Sequence, residues 1–363
     1  MKRRESLKPA AKKTDELPWD FFDRCLLPII FSHAAAIVVS FVLNILRISQ
    51  ISSFSLFIIF VLATVSVTIC YHNLQVSTAG KAVLITSCDN NVGYALARQL
   101  DDLGFTVYAG FAEKNKAAKL KEESSARLHI LQLNVTSDSD IKAAYDYVHK
   151  TLPSGVSGLW AIVNNTTWAA FGEFEWLPID VYKQSIDINL TSVIKLTQIF
   201  LPSIRRTRGR IVNVSSITGR IPSELRSSLC TVKAAIEAFS ECLRMELKKW
   251  SVNVIVVEPG TYTTGCWFDD QKILSDARNM WRRMSDDVRK HCTQDYFEFK
   301  VRSLPEYENA EKEINVLPTV RSLTDAVYKT FPLPRYTPIT KQEKLQIFAA
   351  QHLPAGIYQI LYS

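Results

Sequence analysis

From Lys81 onward the chain alternates short apolar runs with stretches whose apolar residues recur at helical spacing, and few architectures tolerate that alternation. The runs are Ala82–Thr86, Thr106–Ala109, His129–Leu133, Leu159–Val163, Ile211–Val214 and Asn253–Val257. Between them, one stretch places Val92, Leu96, Leu100 and Leu103 on a single helical face, and another places Ile236, Phe239, Leu243 and Leu247. Parallel strands need crossover helices and bury both faces, so such a sequence predicts an α/β fold. Right-handed crossovers make it a doubly wound parallel Rossmann sheet with helices on both faces. Any ligand crevice then lies at the carboxyl ends of the strands.

The polar residues follow the strands as that geometry requires. After the first run comes Thr86-Ser87-Cys88-Asp89-Asn90-Asn91-Val92-Gly93, leading straight into a helix whose free amides and positive dipole end suit a pyrophosphate. Asn164-Asn165 ends the fourth run, Asn189 falls in a long helix, Ser215-Ser216 ends the fifth, and Lys233 and Pro259-Gly260 come later.

Ahead of this domain lie two dense apolar runs, Cys25–Leu46 and Phe54–Tyr71, each long enough to cross a hydrocarbon core about 30 Å thick. Arg47 and a few polar residues separate them, so the pair reads as a transmembrane helical hairpin, or as one span beside a re-entrant segment, with Pro28 near a helix start. The tail before them carries Lys2, Arg3, Arg4, Lys8, Lys12 and Lys13, which would hold it in the cytosol and return the main domain to the same side. A cleaved signal peptide would have a shorter apolar region, and a mitochondrial presequence would lack Glu5, Asp15, Glu16, Asp20 and Asp23. The endoplasmic reticulum membrane is therefore the expected location, with a mitochondrial membrane as the alternative. The organisation predicted is a basic tail over 1–24, two spans over 25–72 and a Rossmann domain over 80–363.

Composition excludes several classes. The net charge of +7 over 363 residues is modest, and no basic stripe with interleaved aromatics suggests nucleic acid. The seven cysteines show neither paired spacing nor a companion histidine cluster, so free thiols are predicted and no metal site. Glycosylation-type triplets begin at Asn134, Asn165, Asn189 and Asn213, all in or beside predicted core elements, and are read as coincidental.

The ordered series of blocks resembles the short-chain dehydrogenase/reductase family, within it the subgroup of hydroxybutyrate, retinol and 11β- or 17β-hydroxysteroid dehydrogenases. Local matches include Phe171-Gly172-Glu173, Phe200–Arg206, Arg210-Ile211-Val212-Asn213, Glu237-Ala238-Phe239-Ser240, Val257-Glu258-Pro259-Gly260 and His352-Leu353-Pro354. The resemblance runs from about Lys81 to the C-terminus. It implies an NAD or NADP cofactor, a lipophilic alcohol or ketone substrate and dimerisation through the long helices. It also implies a site in which Ser216 binds the substrate oxygen, Lys233 holds the nicotinamide ribose and Asn189 keeps a proton-relay water. Thr86, Ser87, Asn91, Val92, Gly93, Asn134, Asn164, Pro259, Gly260 and Thr264 would line the cofactor. The family's catalytic tyrosine belongs four residues before Lys233 and thirteen after Ser216, and both counts reach Leu229. A leucine has no proton to give.

Other departures accompany it. Ser87 and Asn91 stand where the family has glycines, although Asn91 can adopt a left-handed backbone. Asn134 replaces an aspartate near the adenine, Thr166-Thr167 replace an Ala-Gly pair, and Ala109-Gly110-Phe111 offers no acidic residue to a ribose. Lys114 or Lys116 would favour a phosphate there. Tyr262 is a conceivable substitute proton donor, though it reads first as a packing aromatic. The segment 267–318, with Trp267, Phe268, Trp281, Tyr296 and Phe297, is the expected substrate lid, and Ile347–Tyr362 is expected on the membrane or a partner subunit. Two functions stay open: a membrane-bound NAD(P)-dependent oxidoreductase of steroid- or retinoid-like substrates, impaired by Leu229, and a noncatalytic Rossmann binding or scaffold protein.

Overall fold

The structure, a computed structural model, describes residues 19–260, 270–303, 315–354 and 356–357. It divides into two units, one reaching from the N-terminal residues to Gln75 together with Lys329–Phe331, the other holding Val76–Tyr328 and the residues from Pro332 on.

The first unit is a helical hairpin, α1 (Trp19–Ile45) and α2 (Ser53–Asn73), and both helices are long and apolar enough to cross a membrane, with mean hydropathies of 2.3 and 2.4. Ser32, Ala36 and Ser40 recur every four residues on α1 and are buried, because small side chains let two helices approach closely. Ser32 Oγ lies 3.2 Å from Thr64 Oγ1 across the pair. Large apolar side chains such as Phe31, Phe41, Phe54 and Leu62 face outward. Pro28, expected near a helix start, instead sits well inside α1, where the Ser32 hydroxyl donates to its carbonyl at 2.7 Å. Polar side chains commonly accommodate proline in apolar helices in this way.

The second unit is built on a seven-stranded, wholly parallel sheet of order β3-β2-β1-β4-β5-β6-β7. Its strands are β1 (Ala82–Ile85), β2 (Thr106–Phe111), β3 (Leu128–Gln132), β4 (Ala161–Asn164), β5 (Arg210–Val214), β6 (Asn253–Val257) and β7 (Arg335–Tyr336). Side chains alternate across it. Val83 and Ile85 face a core shared with α3 (Asn91–Asp102) and α12 (Leu317–Tyr328), whereas Ala82 and Leu84 face one shared with α5 (Asp138–Thr151), α7 (Ser192–Thr207) and α8 (Ser227–Leu247). The strand order reverses between β1 and β4, and the crevice opens at their carboxyl ends. Among the glycosylation-type asparagines, Asn165, Asn189 and Asn213 are buried, while Asn134 is exposed beyond β3.

Candidate active site

Helix α3 starts directly over the turn that leaves β1, with Asn90 as its cap: Asn90 Oδ1 accepts from the Gly93 amide at 2.8 Å. Gly93 has no substitute. A Cβ there would lie 2.5 Å from the Ser87 carbonyl oxygen and 2.8 Å from Asn165 Nδ2. The left-handed residue of this turn is Ser87, at φ 53°, and not Asn91, which is the first residue of the helix. The correction follows from the cap: once Asn90 closes the helix start, position 91 must be helical and the reversal falls on Ser87. A side chain in that conformation costs roughly 1–2 kcal/mol. The Ser87 hydroxyl lies 2.9 Å from Thr166 Oγ1, itself 3.2 Å from Thr86 Oγ1, so a chain of hydroxyls rims the turn. Ser87→Gly is expected to tighten nicotinamide cofactor binding several-fold while moving stability by less than about 1 kcal/mol. Titration and thermal denaturation check this, and unchanged affinity would contradict it.

At the end of β4 two adjacent asparagines point opposite ways, as strand geometry requires. Asn164 turns inward, donating to Asn213 Oδ1 at 2.8 Å, and Asn213 donates to Ser240 Oγ at 2.8 Å. Asn165 turns toward the β1 turn, its Nδ2 donating to the Ser87 carbonyl and to Asn90 Oδ1, both at 3.2 Å. Asn165, not Asn164, thus meets the turn after β1, and no sequence pattern marks that pairing. Asn165 Oδ1 is buried without a hydrogen-bond partner among the described residues. With the glycine cradle at Gly93 and a 12-residue helix aimed at the turn, it makes a set that fits a dinucleotide.

Ser216 closes β5 and is nearly buried, its Oγ accepting from the Thr218 amide at 3.3 Å and donating to the Pro259 carbonyl at 3.5 Å. Lys233 lies on α8, fully buried, with Nζ donating to the Val214 carbonyl and to Thr167 Oγ1, each at 3.1 Å. Burial pushes its amine down to about 8, against a smaller opposing pull from the Glu237 carboxylate. Asn189 sits in a π-helical segment, Asp187–Thr191, of the kind that often marks functional sites. Its side-chain amide is committed, however: Nδ2 donates to the Trp168 and Ser185 carbonyls at 2.8 Å and Oδ1 accepts from the Trp168 amide at 2.9 Å. It anchors the loop after β4.

Leu229 stands one helical turn before Lys233 and is 1% exposed. It belongs to an apolar cluster with Ala169, Ala170, Phe171, Trp176 and Val232, joined by Met280, Phe297 and Val301 from α9 (Asp270–Arg283) and α11 (Gln294–Arg302). The described part of the segment expected as a lid packs on the same cluster as Leu229, with Phe297 4.9 Å from Trp176 and 5.1 Å from Trp281 between ring centroids. Neighbouring hydroxyls are taken: Ser228 Oγ donates to the Ala170 carbonyl at 2.9 Å, and Tyr182 Oη is 2.6 Å from Ser227 Oγ.

Beyond β6, the fully buried Glu258 pairs with Arg220 at 3.1 Å and with Arg335, holding the strand end to β7. Pro259 reaches Ser216 as described. At Gly260 a Cβ would meet the Glu343 carboxylate at 2.5 Å, so a larger residue would push aside the side chain that caps α13 (Lys341–His352). Thr264, Tyr262, Trp267 and Phe268 lie outside the described residues. Asn134 stands apart, its Oδ1 accepting from the Thr136 amide and hydroxyl at 3.1 and 2.8 Å in the turn that opens α5. At the end of β2, Lys116 pairs with Glu113 at 2.9 Å.

A doubly wound sheet with a glycine-cradled helix start, a buried serine beyond β5 and a buried lysine on α8 makes a Rossmann-type domain. The chain belongs to the short chain dehydrogenase family, whose profile matches residues 81–272. It is similar to the mitochondrial D-beta-hydroxybutyrate dehydrogenase of Bos taurus, 35% identical over 288 residues covering 78% of this chain and 83% of the relative. It is likewise 35% identical to human 17-beta-hydroxysteroid dehydrogenase type 2, over 77% of this chain and 72% of the relative. Human short-chain dehydrogenase/reductase family 9C member 7 is 34% identical, over 80% and 91%. Among solved structures, a short-chain dehydrogenase from Streptomyces avermitilis shares the fold at TM-score 0.60 and 20% identity, covering 77% of this chain and 95% of that one.

Proposed function

We propose that this chain is a membrane-associated member of the family that binds a nicotinamide dinucleotide beside a lipophilic alcohol or carbonyl compound, and that its hydride chemistry is slow because position 229 is leucine. The observation that carries the reading is the burial of Leu229 in an apolar cluster one turn before Lys233, with Ser216 in place. When bound, the dinucleotide supplies the hydride. The start of α3 and the Thr86 and Ser87 hydroxyls would take its pyrophosphate. The Lys233 amine would exchange Thr167 for a ribose hydroxyl, and Ser216 would hold the substrate oxygen. No described group beside Leu229 is placed to give that oxygen its proton.

The apolar cluster around Leu229 favours a lipophilic substrate, in keeping with the hydroxysteroid dehydrogenase among the relatives. The two N-terminal helices would hold the domain at a membrane where such compounds concentrate, in our reading that of the endoplasmic reticulum. The second reading, a binding or scaffold protein, draws on the threonine pair at 166–167, whose hydroxyls occupy Ser87 and Lys233. Fluorescence titration with NADH and NADPH, followed by turnover assays on steroid and retinoid panels, separates the two. Binding with slow turnover is expected. No binding at millimolar cofactor would leave the scaffold, and brisk turnover would refute the role given to Leu229.

A further inference from the structure

On α1 the buried hydroxyls of the hairpin seam are satisfied within the pair of helices. Ser32 Oγ donates to the Pro28 carbonyl and lies 3.2 Å from Thr64 Oγ1, and Ser40 Oγ donates to the Ile51 carbonyl at 3.0 Å. His33 is different. Its ring is exposed beside that seam and meets the Phe57 ring edge-on, 5.3 Å between centroids, and neither ring nitrogen is hydrogen-bonded among the described residues. His33 belongs to the apolar span Cys25–Ile45, about 12 Å along the axis from Cys25 and about 18 Å from Ile45. In a hydrocarbon core about 30 Å thick that is mid-depth, out of reach of water and headgroups. Ionisable side chains at such depth ordinarily pair with another group, because an unpartnered polar atom in hydrocarbon is costly. The edge-on ring contact is a second-order interaction and leaves the acceptor nitrogen unserved. Around His33, Leu26, Ile30 and Ile37 are exposed, and the four residues recur at steps of four, three and four, the seam spacing of paired helices.

We propose that this stripe of α1 packs in the membrane against the same stripe of a second copy of the chain, with the two His33 rings paired across a twofold axis. The occupant follows from the chemistry of the ring. A neutral imidazole carries one donor and one acceptor, so two of them complete a hydrogen bond from one ring to the other. A twofold contact presents the same patch from both sides and supplies that complement with no further residue. A lipid tail supplies neither half of it. Leu26, Ile30 and Ile37 then interdigitate around the pair, as apolar seam residues do. The contact is separate from the pairing through the long helices of the Rossmann unit that the resemblance implies. The inference goes beyond the proposed hydride chemistry and rests on that reading only in placing the two apolar helices in a membrane.

The test uses the full-length chain in lipid vesicles with one added cysteine, either Ile30→Cys or Ile37→Cys on the stripe, or Phe31→Cys or Val38→Cys about 100° round the helix. Oxidation with copper phenanthroline is followed by mass mapping of disulfides at the added cysteine, and the unaltered chain is the blank for the natural thiols. The two stripe cysteines are expected to cross-link several-fold more than the other two. Combined with Ile37→Cys, His33→Leu is expected to lower the yield about threefold, the usual worth of a polar contact between membrane helices. His33→Asn, which keeps a donor and an acceptor, should retain it. Equal cross-linking at all four positions, or a leucine variant that cross-links as well as the histidine chain, overturns the proposal. A water-soluble maleimide applied to Ile37→Cys in intact vesicles separates the premises. A protected cysteine that does not cross-link removes the pairing alone, whereas a freely labelled one removes the membrane placement with it.

Discussion

Leu229→Tyr is expected to raise the rate of ketone reduction by about 10² to 10⁴, the usual worth of a positioned general acid. Ser216 lies just beyond β5 and Lys233 on α8 one turn after position 229, so the substitution would place a phenol between a buried hydroxyl and a buried amine. The gain carries a structural cost. Leu229 is buried in one apolar cluster with Phe171, Trp176 and Val232, and the larger ring should lower stability by about 1–3 kcal/mol unless the hydroxyl turns into the crevice. Steady-state turnover and thermal denaturation of the two chains check both parts. A variant that binds cofactor, stays folded and gains nothing would show that more than the proton donor has been lost.

Glu258→Ala is expected to destabilise the Rossmann unit by about 3 kcal/mol, the lower end for breaking a buried ion pair. The carboxylate is fully buried, but its partners Arg220 and Arg335 are 22% and 29% exposed and can recover water when it is removed. The effect should reach the site. Glu258 precedes Pro259, whose carbonyl accepts from Ser216, and Arg335 also binds Glu237 and Glu241 on α8, one of them at 3.1 Å. Urea unfolding measures the loss, and a change below about 1 kcal/mol would mean that the arginines do not depend on Glu258.

The sheet was legible because β1, β2, β4, β5 and most of β6 are buried on both faces and read as apolar runs, while the edge strand β3 is only partly buried. Asn253–Val257 has the same bounds in sequence and structure, and the other five predicted strands overlap theirs with shifted ends. β7 was not legible: two residues, Arg335–Tyr336, carry no periodicity, and they pair only because β6 presents a free edge. Leu229 could be placed because the resemblance puts the family's tyrosine four residues before Lys233 and thirteen after Ser216. The turn after β1 could not be resolved to the residue. Whether Ser87 or Asn91 takes the left-handed conformation depends on Asn90 capping α3, and several residues there are good caps. Nor does sequence tell which of Asn164 and Asn165 faces the crevice, because a one-residue shift in strand register exchanges them. The packing of lid aromatics against the cluster around Leu229 arises from long-range contacts that local pattern does not encode.

The central claim concerns proton supply at position 229, and a single-turnover experiment addresses it with binding removed from the comparison. NADH or NADPH is bound first to the natural chain and to Leu229→Tyr, a ketone is mixed in at saturation, and decay of the reduced cofactor is followed. The account predicts equal cofactor occupancy and a rate in the natural chain about 10² to 10⁴ lower. Equal rates in the two chains would contradict it.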